Sequence, residues 1–108
     1  MQDILLNLEN QIMKKGGFVN AHAHLDRANT VGYFSKEEQY KFLKEKWKLV
    51  DRIKKQTHYW GYKVRIDDAL SSQINLGTTA VCSFIDVDDI VSKKAILAAR
   101  EIQLERTD

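Results

Sequence analysis

The run Gly17-Phe18-Val19-Asn20-Ala21-His22 is short, apolar at nearly every position and preceded by a second glycine, Gly16. Such a run predicts a strand over 17–22, and its lack of alternation suits a parallel strand covered on both faces. A parallel strand needs a neighbour reached through a crossover, usually helical. Thr78 to Ile85, rich in β-branched and aromatic residues, is the candidate neighbour.

Helical periodicity fills the rest. Leu5, Leu8 and Ile12 fall at helical spacing among polar residues and predict an amphipathic helix over 2–14, ended by Lys14-Lys15-Gly16. Asp26 to Phe34 reads as a loop. Ser35 and Glu38 form an S-x-x-E capping box that opens a helix running to about Gln56, with Tyr40, Leu43, Trp47 and Val50 on one face. Thr57 to Gly61 is a break. A further helix covers roughly 62–76, with Tyr62, Ile66, Ala69, Leu70 and Ile74 on one face and Gly77 where a left-handed residue would stop it. Asp86 or Asp88 caps a last helix whose Val91, Ala95, Ala98 and Ile102 repeat at four, three and four. The expected order is α-β-α-α-β-α, an α/β arrangement with two parallel βα units.

Composition narrows the class. With 44% hydrophobic and 30% charged residues, Gly 5 and Pro 0, the chain of 108 residues reads as one ordered domain over 1–108. A net charge of +2 does not by itself argue for nucleic acid. No apolar stretch approaches the roughly 20 residues of a membrane span and no signal-peptide pattern opens the chain, so the expectation is cytoplasmic, without membrane. Cys82 is the sole cysteine, which excludes an internal disulfide, agrees with a reducing compartment and reads as a buried small hydrophobe.

The first strand ends in His22-Ala23-His24. Side chains two apart on an extended segment share a side, so both imidazoles could reach one divalent ion at about 2.0–2.1 Å if it is zinc. The plain alternative is two histidines packed or solvated at a strand end. The surroundings favour the metal. Gly16-Gly17-Phe18-Val19-Asn20-Ala21-His22-Ala23-His24-Leu25-Asp26-Arg27-Ala28 resembles the first-strand signature of the amidohydrolase superfamily, in particular cytosine deaminase-like metal-dependent hydrolases. Gly77-Thr78-Thr79-Ala80-Val81-Cys82-Ser83-Phe84-Ile85-Asp86-Val87-Asp88 resembles the second barrel strand of the same enzymes, and the resemblance spans roughly 16 to 105. The opening helix departs from it, because such enzymes usually carry a small β domain there.

The resemblance implies a partial TIM-barrel-like fragment, since a full (β/α)₈ barrel needs roughly 200–250 residues. It implies metal-assisted hydrolysis at a C–N bond, with His22 and His24 as metal ligands and zinc or iron as the divalent metal, held weakly or not at all by the isolated chain. Remaining ligands and the proton shuttle would lie on later strands. Asp26 and Arg27 would lie at the active-site mouth, and Asp86 would end the second strand on the same side. Turn carboxylates with a solvated arginine are the plain reading of the first two. Asn20 shares the histidines' side and could fix a ring from behind, or be satisfied by backbone groups. Asp86, Asp88 and Asp89 read better as helix-capping acids than as a hard-cation site. His58 matches no ligand position.

Two parallel strands leave two edges open, so the expected partners are a second copy, a swapped assembly or a complementary barrel fragment, with a small-molecule substrate once the barrel is complete. A non-catalytic remnant or interaction module with a vestigial metal pair is the alternative. Lys41, Lys44, Lys46, Lys48, Arg52, Lys54 and Lys55, near Trp47 and Trp60, raise a nucleic-acid-binding helix as a weaker third reading, with a solvated outer face as its plain explanation.

Overall fold

A computed structural model of the chain describes residues 2–106. In order come α1 (Gln2–Lys14), β1 (Phe18–Ala23), α2 (Leu43–Gln56), α3 (Tyr59–Asn75), β2 (Thr78–Ser83) and α4 (Lys94–Glu105), with single 3₁₀ turns at Leu25–Arg27, Val31–Tyr33 and Glu38–Tyr40. The expected order of helices and strands holds. The strands pair in parallel, Phe18 with Thr78, Val19 with Ala80, Asn20 with Val81 and Ala23 with Ser83, with irregularities after Phe18 and Asn20. The fold is therefore mixed α/β, mostly helical, around a two-stranded parallel sheet among the described residues.

One side of the sheet carries the core. Leu25, Ile66, Ala69 and Ile102 form one buried cluster, flanked by Val81 and Ile85 from β2 and the loop beyond it. Tyr62, Val91, Ala95 and Ala98 form another between α3 and α4. Their members on α3 and α4 follow the periodicity that predicts them, whereas Leu25 comes from the turn after β1 and Val91 from the turns before α4, and the alanines of α4 let the two helices approach closely. Lys63 links α3 to Glu101 at 3.0 Å and Glu105 at 2.9 Å, and Arg106 reaches Asp67 at 2.8 Å.

Four expectations fail, each for a physical reason. β1 is not covered on both faces, and Val19 stays 68% exposed, because the helices pack on one side of a sheet only two strands wide. Cys82 is exposed rather than buried for the same reason. The capping box is real, with Ser35 N donating to Glu38 Oε1 at 2.9 Å and Glu38 N to Ser35 Oγ at 3.2 Å, but it closes only a turn. Extended backbone at Lys41 and Phe42 interrupts before α2 starts at Leu43, so Leu43 and Trp47 remain exposed and only the Ile53 end is buried. The last helix begins at Lys94 because Ser92, at φ 53°, breaks the turn that Asp88 initiates. Helix α3 starts three residues earlier than the periodicity implies and ends, as expected, before Gly77 at φ 95°.

Candidate metal centre

His22 and His24 stand at the C-terminal end of β1, where the chain leaves the sheet. Their Nε2 atoms lie 3.3 Å apart and their ring centroids 5.2 Å apart, so the period-two expectation of a shared side holds. Two nitrogens bound to one tetrahedral zinc at about 2.0–2.1 Å lie about 3.3–3.4 Å from each other. The spacing thus fits two ligands of one ion. It also fits an N–H···N hydrogen bond between neutral rings when one carries its proton on Nε2. Phe84, which the sequence reading passed over as a site residue, packs its ring 5.0 Å from His22 and 5.5 Å from His24. Its N–H donates to Ala23 O at 2.8 Å, so strand pairing itself delivers the ring to the pair.

Below the histidines, the turns after β1 and β2 are clasped together. Leu25 N donates to Ser83 Oγ at 3.0 Å, and Asp86 N donates to Asp26 Oδ2 at 2.8 Å. Asp26 is only 2% exposed, so it holds the two loops together rather than lying open at a mouth. Burial pushes its carboxyl above the usual range, and the hydrogen bond from Asp86 offsets part of that. Arg65 Nη1 donates to Asp26 O at 2.8 Å, and its guanidinium lies between the Tyr33 and Tyr62 rings, with centroids 5.8 and 5.6 Å away. Asp26 Oδ1 and Tyr62 Oη are buried without a hydrogen-bond partner and belong to residues lining a cavity of about 30 Å³ with Arg27, Lys54 and Arg65. Arg65 is the residue the periodicity could have marked, since it falls three positions after Tyr62 beside Ile66 on the buried face.

Arg27 and Asp86 form one ion pair. Arg27 Nε and Nη2 donate to Asp86 Oδ2 at 2.8 and 2.6 Å, and Lys54 Nζ reaches the same oxygen at 3.1 Å. Burial raises the Asp86 carboxyl, but the hydrogen bonds from Arg27 and Lys54 outweigh it and hold the group below the usual carboxylate range. Neither side chain is idle at the surface. Asn20 does not touch a histidine ring: its Nδ2 donates to Gln73 Oε1 at 2.8 Å, and its Oδ1 accepts the His22 backbone N–H at 3.2 Å. Asp88 caps a turn ahead of α4 rather than the helix itself, its Oδ1 accepting from Ile90 N at 2.9 Å and Val91 N at 2.8 Å, while Lys93 stands at the start of α4.

Among the described residues, no group of three or more His, Cys, Asp or Glu side chains is placed to hold a metal ion. Among the described residues the pair therefore offers two candidate donors, whereas a catalytic zinc normally takes three from protein. His58 is exposed at the start of α3, away from them in sequence and element. On the basic helix, Lys54 is tied to Asp88 at 2.7 Å and Arg52 to Glu38 at 2.9 Å, which leaves a thinner cationic face than the sequence suggests. No helix of the described residues is long and apolar enough to cross a membrane.

No protein-family model matches the chain. Over 99 residues, 87% of this chain, it is 37% identical to an uncharacterized protein of Haemophilus influenzae. The chain spans 34% of that relative's length.

Proposed function

We propose that this chain carries the first two metal-ligating histidines of a metal-dependent hydrolase of the amidohydrolase type, its two parallel βα units forming the opening part of a barrel. The observation that carries the reading is the 3.3 Å separation of the His22 and His24 Nε2 atoms at the C-terminal end of a parallel strand. Active sites of (β/α)₈ enzymes gather at that end. The relative, about three times as long as the stretch it shares, has the size such a barrel needs.

When bound, a zinc or iron ion lowers the pKa of a coordinated water and supplies hydroxide near neutral pH for hydrolysis at a C–N bond. The residues of this chain do the holding. His22 and His24 present their Nε2 atoms together, and Phe84 packs against both rings. The Asp26–Asp86 clasp keeps the strand ends together, and the Arg27–Asp86 pair lies on the same loops. Further ligands and the proton shuttle come from strands outside this chain, so hydrolysis by the chain alone is not expected.

Zinc titration against a chromophoric chelator tests this. Weak binding is expected in the wild type, at least tenfold weaker binding in His22→Ala or His24→Ala, and none in the double variant. Undiminished zinc binding in the double variant would eliminate a metal role for the pair. The large apolar groove beside β2 favours a second reading, an interaction module with a vestigial pair, and a wild type that takes up no zinc selects it.

A further inference from the structure

Asp26 has a backbone oxygen and two carboxylate oxygens, and the chain supplies donors to the first and to Oδ2. Oδ2 accepts the Asp86 N–H at 2.8 Å, and the backbone O accepts from Arg65 Nη1 at 2.8 Å. Oδ1 has no hydrogen-bond partner in the protein, and the same is true of Tyr62 Oη at the start of α3. Both residues are only 2% exposed. A buried carboxylate oxygen or hydroxyl left unbonded is costly, so nearly all such groups in folded proteins bond either to protein or to ordered water. The two atoms need a common explanation.

Asp26 and Tyr62 share the wall of one cavity of about 30 Å³, together with Thr30, Val50 and Ile53. A water needs about 10–15 Å³ of such space and two to four polar partners. The carboxylate lies close enough to act on the hydroxyl: burial pushes Tyr62 above its ordinary value, Arg65 offsets part of that, and Asp26 adds to the rise. Whatever bonds to both atoms must donate to Oδ1, which only accepts when ionised, and can take the hydroxyl proton of Oη. An anion would be repelled at Oδ1. A metal cation would stand beside the Lys54 ammonium and the Arg65 guanidinium, which line the same cavity. Water donates and accepts, carries no charge and is of the right size.

We infer that an ordered water bridges Asp26 Oδ1 and Tyr62 Oη, donating to the carboxylate and accepting from the hydroxyl. Tyr62 and Arg65 are three residues apart on α3 and so lie on one face of the helix. Arg65 grips the backbone of Asp26 directly, and Tyr62 grips its side chain through the water. The clasp between the turns after β1 and β2 is thereby fastened to α3 at two points. Both atoms are interior to this chain, so the bridge needs neither a second copy nor a further strand. It also stands whether or not His22 and His24 take a metal.

A high-resolution crystal structure of the full, zinc-free chain tests the bridge, with oxygen-17 relaxation dispersion as its counterpart in solution. Density for a water about 2.5–3.0 Å from both Asp26 Oδ1 and Tyr62 Oη is expected. In solution a long-lived water is expected, with its residence time shortened at least tenfold in Tyr62→Phe, which keeps the ring and removes one anchor. Should that variant misfold, the wild-type density decides alone. A direct Asp26–Tyr62 hydrogen bond, an ion at the site, a cavity without density, or a residence time unchanged in Tyr62→Phe would each overturn the inference.

Discussion

Gly17 is where a single atom decides most. Its φ is 82°, and a Cβ placed there would meet the Thr79 side chain and lie 2.9 Å from Gly77 O. Backbone oxygen cannot yield as a flexible side chain can. Gly17→Ala should therefore lose about 2–3 kcal/mol of stability in urea unfolding. Gly32→Ala is the control, since nothing lies within 4 Å of its Cβ position, and it should change stability little. The residues that proved legible are those whose role is local. The histidine pair follows from alternation along one strand, and Asp88 capping from the unpaired N–H groups of a starting turn. Asp26, Arg65 and Phe84 are different, because their partners stand 39 to 62 positions away in the chain. Nothing local marks a carboxylate as the acceptor of an amide on another loop.

At the scale of elements, the long loop after β1 is held to α2 by charge. Arg52 donates to Glu38 Oε2 at 2.9 Å and to Tyr33 O at 3.2 Å. The hydrogen bond from Arg52 brings the Glu38 carboxyl down to about 2, from an ordinary 4.5. Because the folded form binds the proton less readily than the unfolded chain, this pair stabilises fully above pH 4.5 and its contribution fades as pH falls toward 2. Proton-detected titration should place Glu38 near 2 in the wild type and closer to 4.5 in Arg52→Met. The urea midpoint of the wild type should also fall more steeply than that of the variant across this window. An unchanged Glu38 titration in the variant would show that Arg52 is not the cause. The Ser35 box illustrates the limit of local signals: its two hydrogen bonds form, but extended residues at 41 and 42 stop them from seeding a long helix.

Stability of the whole molecule is distributed unevenly. Ile66, 1% exposed, sits among Leu25, Ala69 and Ile102 where α3 and α4 meet the sheet. Ile66→Ala should cost about 2–5 kcal/mol, the range for a large-to-small change in a packed core. Val19→Ala, on the uncovered side of β1, should cost well under 1 kcal/mol, as surface substitutions do. Equal losses in urea unfolding would mean that the far side of the sheet is covered in solution. By itself the sequence determined the helix and strand order, the buried faces of α3 and α4 and the shared side of the two histidines, because each rests on a period repeated within one segment. Only the tertiary structure decided that the sheet is covered on one side, that Asp26 is interior and that α1 and the groove beside β2 stand unfilled. Coverage depends on which surfaces meet across the chain, and periodicity within a segment carries no information about what lies opposite it.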